Sequence, residues 1–231
     1  MFFDPMYLLF VMLPGMALSA WASFRTKSAF KKYSKVRAAT GYTGAQAARA
    51  MLDREGLQDV KINRSHGFLS DHYNPATKSL ALSEAVYGSN SIAAIGVATH
   101  EAGHAIQHAQ DYKPLWLRSL LVPTANIGSS LGYIVMMAGF FMDLMGIITI
   151  GIVLFSAVVL FQIVTLPVEF DASTRARELV VAHGIISPTE REGVDRVLNA
   201  AALTYVAAAV SSLLTLFYFL MRAGLLGGRD D

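Results

Sequence analysis

"LMGIITIGIVLFSAVVLFQIVTLPV", residues 144–168, runs for 25 positions without an Asp, Glu, Lys or Arg. An α-helix rises 1.5 Å per residue, so about 20 residues carry it across the hydrocarbon of a bilayer. Three further runs meet that length: 5–24, 119–142 and 197–221, of 20, 24 and 25 residues. Hydrophobic residues make up 54% of the 231-residue chain and charged residues 16%, against roughly 25% charged in soluble domains. Length and composition together point to a mainly α integral membrane protein with four spans.

The spans differ in texture. Residues 119–142 carry Pro123, Asn126 and several Gly and Ser, which suits a kinked or partly protein-facing helix. The last run is rich in small residues, which allow close helix packing, and its helix is expected to begin before the membrane surface. The first could be mistaken for a cleaved leader, because Ala20-Trp21-Ala22 resembles a small-x-small cleavage site. Asp4 stands where a leader would be basic, however, and the basic residues lie on the far side, so this run is read as a retained span.

Lysine and arginine set the orientation. Segments 25–118 and 169–196 hold 13 and 4 of the 19 basic residues. Four crossings with both segments cytoplasmic, and both chain ends outside, satisfy that distribution. "RTKSAFKKYSKVR", directly after the first span, also reads as a positive-inside anchor facing anionic headgroups. The net charge of +2 and the absence of a basic patch interleaved with aromatics leave no nucleic-acid reading. The four runs contain no acid of the kind a transporter would place inside its spans.

The cytoplasmic segments have readable local structure. "TGYTGAQAARAMLDREG" predicts a helix with Thr43 as N-cap, an Ala47, Ala48, Met51 and Leu52 stripe, and Gly56 as its stop. "DVKINRS" alternates as a short strand, and "GFLSDHYNPATKSLALSEAVY" suggests two extended pieces joined at Asn74-Pro75. Such an edge could pair a substrate strand or be an ordinary hairpin covering the next helix. From about Ser91 to Ala109 the chain has no Pro and reads as a mostly buried helix.

That helix contains His100-Glu101-Ala102-Gly103-His104. One helical turn separates the two histidines, so both imidazoles can reach one ion about 2.0–2.1 Å from each nitrogen. Glu101 points roughly 100° away from His100, where a carboxylate can take a proton from a water that attacks a carbonyl polarised by the ion. The chain has no cysteine, so zinc must be held by His, Asp or Glu. The plainer reading, two solvated histidines, conflicts with the apolar neighbours "VAT" and "AI".

A catalytic zinc has three protein ligands and an open fourth position. His108 lies eight residues from His100, about 12 Å along a straight helix, too far for the same ion, and is expected to flank the site. Glu169 and Asp171, directly after the third span, are better placed, because two spans loop the chain back to the face it left. Glu169 is favoured as ligand and Asp171 as a partner orienting a ligand histidine; the plainer reading pairs both acids with Arg175 and Arg177. An oxyanion donor besides zinc is also needed. His183, Arg175, Arg177 and Tyr205 are candidates, each with an ordinary role as ion pair, helix end or packed tyrosine.

"HEAGHAIQH", the paired spans and "LPVEFDAS" resemble the YugP-type neutral zinc metallopeptidases of bacterial membranes over essentially the whole chain. More remotely the layout is similar to the CAAX prenyl protease and heat-shock membrane protease group. The resemblance implies one catalytic Zn2+ on His100, His104 and Glu169, with Glu101 as general base and acid. Ser173 stands where the remote group has a downstream Asp. It also implies an inner-membrane peptidase with a small α+β cytoplasmic zincin-like catalytic region. The expected divisions are span 1–24, cytoplasmic region 25–116, paired spans 117–168, helical region 169–200, span 201–222 and tail 223–231. Expected partners are the lipid bilayer and polypeptide substrates, with a membrane-protein partner or a second copy left open. A catalytically idle zinc-bearing scaffold is the rival reading; it would need the ligands but not Glu101.

Overall fold

The computed structural model describes residues 4–67 and 70–226. The chain runs α1 (Pro5–Tyr33), α2 (Gly44–Arg54), β1 (Lys61–Ser65), β2 (His72–Asn74), β3 (Ser79–Ser83), α3 (Glu84–Tyr87), α4 (Ile92–Ala109), α5 (Lys113–Phe141), α6 (Met145–Ala182) and α7 (Pro188–Arg222). The protein is mainly helical, and α1, α5, α6 and α7 are long and apolar enough to cross a membrane. Two compact units divide the chain, one of Met1–Trp21, Trp116–Leu166 and Thr204–Asp231, the other of Ala22–Leu115 and Pro167–Leu203.

The first unit is built on the hairpin of α5 and α6. A Cβ on Gly128 would lie 2.6 Å from the Leu154 carbonyl oxygen, one on Gly139 2.6 Å from the Ile148 nitrogen, and one on Gly151 2.5 Å from the Met136 nitrogen. No side chain fits such gaps, so glycine is what lets the two backbones touch. The irregularity expected of residues 119–142 is present, with Pro123 inside the helix and a π-helical turn at Gly128–Gly132. Asp143, at φ 54, turns the chain back. Met136, Ile152, Phe155 and Phe219 are buried in this unit's core. At one end Tyr7 packs edge-on against Tyr218 at 5.1 Å, and the Tyr218 hydroxyl donates to Asp4.

In the second unit α2 begins as its sequence predicts. The Thr43 hydroxyl accepts from the Gln46 N–H and the Gln46 side chain accepts from the Thr43 N–H, a reciprocal cap. Its Ala47, Ala48, Met51 and Leu52 stripe is fully buried, against a core that includes Ile95, Ala98 and Ala102 of α4. The sheet order is β1-β3-β2. β2 and β3 form the anticipated antiparallel pair, and the Asn74 side chain accepts from the Ala76 and Thr77 N–H groups in the turn between them. β1 joins the other edge of β3 in parallel register, Lys61 opposite Ser79, a long-range pairing that local alternation does not signal.

α4 is wrapped by protein on nearly all sides. Ser91 caps its start by accepting from the Ala94 N–H. Midway, a Cβ on Gly103 would lie 2.7 Å from the Ala172 carbonyl oxygen. Glycine inside the His-Glu-Ala-Gly-His run therefore lets α4 rest on the backbone of α6. That approach sets the reach between side chains flanking Gly103 on one helix and Ala172 on the other.

Candidate metal centre

His100 and His104 share one face of α4, with ring centroids 4.8 Å apart and planes at 79°. Glu169 comes from α6, three residues before Ala172 and two after Pro167. Its Oε2 lies 3.2 Å from His100 Nε2 and 3.6 Å from His104 Nε2. Ligands about 2.0–2.1 Å from a tetrahedral zinc are roughly 3.3 Å from each other, so both separations match edges of a coordination tetrahedron. The ligand-capable atoms of the three residues all fall within 4.8 Å of one another, the group among the described residues able to hold a metal ion. Two imidazole nitrogens and a carboxylate oxygen are a donor set zinc accepts.

The outer ring nitrogens are held as firmly as the inner ones are aimed. His104 Nδ1 lies 2.9 Å from Gln107 Oε1, and the Gln107 amide donates to the Val168 carbonyl at 2.8 Å and to Asp171 Oδ2 at 2.7 Å. Arg175 Nε in turn donates to that same Asp171 oxygen at 2.6 Å, and Arg175 also reaches Gln110 at 2.6 Å. On the other histidine, Ser173 Oγ lies 3.2 Å from His100 Nδ1. Each histidine therefore presents Nε2 to Glu169 and anchors Nδ1 on a polar neighbour. Outer partners of this kind fix tautomer and ring orientation.

The centre is dry. Glu169 is 2% exposed, His104 7% and Glu101 8%. Burial disfavours the imidazolium of His104, but the hydrogen bond and charge of Glu169, with Glu101 and Gln107 adding to them, outweigh it and hold this histidine's pKa above 6.5. Glu101 thus sits close enough to act on the ligand cluster through its charge.

The remaining candidates have other partners. Asp171 reaches His104 only through Gln107. Tyr73 on β2 meets His108 Nδ1 at 2.8 Å, tying the hairpin to the end of α4. His183 pairs with Glu55 at 3.0 Å, and Arg177 with Asn199 at 2.6 Å and Asp195 at 3.5 Å. Tyr205 is half-buried on α7. Gln107 is the residue that sequence reading missed. Its signal was its place: three residues after His104, on the same face of a mostly buried helix.

A family described as "Putative neutral zinc metallopeptidase" matches residues 8–224. The chain is also similar to the "Putative membrane protease YugP" of Bacillus subtilis (strain 168), with 47% identity over 226 residues, 98% of this chain and 100% of that protein. No solved structure matches.

Proposed function

This chain belongs to the neutral zinc metallopeptidase family, and from that premise we propose that it is a membrane-embedded zinc endopeptidase. It hydrolyses peptide bonds of polypeptide substrates at the cytoplasmic face of a bacterial inner membrane. The convergence of His100, His104 and Glu169 from two helices carries the reading. These three residues would hold the ion, whose Lewis acidity lowers the pKa of water and polarises a substrate carbonyl.

The chain's own groups do the rest. Glu101 takes a proton from the attacking water as the new C–O bond forms and returns it to the amine as the C–N bond breaks. Gln107 and Ser173 hold the two imidazoles with Nε2 forward, and Arg175 steadies Asp171 behind Gln107. The clustering of basic residues in 25–118 and 169–196 supports a cytoplasmic placement of both segments.

The deciding comparison is wild type against Glu101→Gln, each purified and assayed for bound metal and for cleavage of an unfolded protein. Zinc in both and cleavage by wild type alone is expected. Equal cleavage by the two proteins would remove Glu101 from its role. Zinc without turnover by either would favour the idle scaffold.

A further inference from the structure

The small sheet has an open edge on the side away from β2. β3 is central, so among the described residues β1 is bonded on one side only. Lys61 donates its N–H to the Lys78 carbonyl across that bonded side. In a parallel ladder the bonded residues of a strand alternate, so Lys61, Asn63 and Ser65 turn towards β3. Ile62 and Arg64 then turn their N–H and C=O groups away from it, along the open edge. A groove of about 1070 Å³ runs beside this edge, bounded by β1 on one side and by α2 and the segment 40–43 on the other.

The chemistry of the groove is not neutral. Arg49 is already committed, paired with Asp53 at 2.8 Å and donating to the Leu57 and Val60 carbonyls. Lys61 and Arg64 are exposed, and among the described residues neither lies within salt-bridge distance of an acid. Arg64 stands over the Tyr87 ring at 4.7 Å, which holds its guanidinium at the groove wall. Tyr42 also lines the groove. None of these residues belongs to the metal centre.

An open strand edge recognises another extended backbone by main-chain hydrogen bonds, and side-chain pockets set which sequence is accepted. We propose that the free edge of β1 is a docking site for an extended acidic segment of a partner polypeptide, which adds as a fourth strand. Lys61 and Arg64 are three residues apart, so they lie on opposite faces of the strand. The preferred segment therefore carries two acidic residues three positions apart, one directed to each face.

The test uses the full-length protein in neutral detergent and fluorescently labelled peptides, read by anisotropy. Val-Glu-Thr-Val-Glu-Thr should bind saturably, and Val-Lys-Thr-Val-Lys-Thr should not. The Lys61→Glu/Arg64→Glu double variant should weaken the acidic peptide roughly tenfold or more. Its zinc content should equal that of wild type, which reports an intact fold. Strand addition uses every second amide of the guest, so N-methylation of one alternate set should abolish binding to wild type while the other set is tolerated. Equal binding of the basic peptide, tolerance of both methylated sets, or no saturable binding of the acidic peptide would each overturn the proposal. None of these readouts depends on peptide cleavage, so the docking site and the peptidase reading can fail separately.

Discussion

Gln107 and His104 are joined end to end: with both amide hydrogens of Gln107 directed at the Val168 carbonyl and at Asp171, its Oε1 can only accept, and His104 Nδ1 lies 2.9 Å from it. The proton of the neutral imidazole must then sit on Nδ1, leaving the Nε2 lone pair towards Glu169. Gln107→Leu removes the acceptor and takes one donor each from the Val168 carbonyl and from Asp171, which keeps Arg175. We expect zinc affinity to fall about 10–100-fold, measured by competition with a chelator. Ser173→Ala, which removes a 3.2 Å contact to His100, should cost less. Unchanged affinity in Gln107→Leu would break the argument.

Glu169 and Asp171 should separate cleanly in metal content. Glu169→Ala takes away the carboxylate oxygen that lies 3.2 Å from His100 Nε2, so bound zinc should be lost on purification. Asp171→Ala acts through Gln107 and should retain the metal with reduced affinity. Loss of zinc from Asp171→Ala alone would reverse the assignment.

Gly103→Ala tests the contact that brings the helices together. The added methyl would sit 2.7 Å from a backbone oxygen of α6, and a carbonyl in a packed helix cannot move aside as a side chain can. Destabilisation of about 1–3 kcal/mol is expected, together with weakened zinc binding, read by thermal melting and metal analysis. An Ala variant as stable and as well loaded as wild type would contradict it.

Asp71 supplies a pH signature. Burial, the largest influence, raises its carboxyl above 3.8, although the Ser83 N–H at 2.7 Å and hydroxyl at 3.0 Å oppose the rise. A folded pKa above the unfolded one means that the folded state holds the extra proton between the two values. This contribution to stability is present at acid pH and lost as pH rises through the folded value. The melting temperature of wild type minus that of Asp71→Asn should therefore decline as pH rises from about 3.5 to 6. A rising difference would show the opposite shift.

The orientation can be read with single cysteines, because the chain has none of its own. Met142→Cys, in the turn between α5 and α6, should react with a membrane-impermeant maleimide on spheroplasts. Ala76→Cys, in the β2–β3 turn, should be protected until the membrane is opened. The reverse pattern would invert the topology.

Much of this architecture was legible because its causes are local. Charge-free runs expose α1, α5, α6 and α7, Thr43 and Ser91 announce two helix starts, and Asn74-Pro75 marks a turn. His100 and His104 are legible for the same reason, since one helical turn fixes their relation. Gln107 was not, because its meaning depends on Val168 and Asp171, which lie more than sixty residues away in the chain. The parallel partner of β1 was equally hidden, as alternation tells which side a residue faces but not which strand it will meet. Gly103 looks like any helical glycine until the Ala172 carbonyl is seen beside it.

The glycine seam between α5 and α6 also bears on mechanics. Where backbones touch at Gly128, Gly139 and Gly151, neither helix can slide or bend without colliding with the other. The pair is a stiff strut. Placed in a bilayer thinner or thicker than its apolar length, it would answer by tilting as one piece or by deforming the lipid around it, at a fraction of a kcal/mol per Å of misfit, rather than by shearing apart.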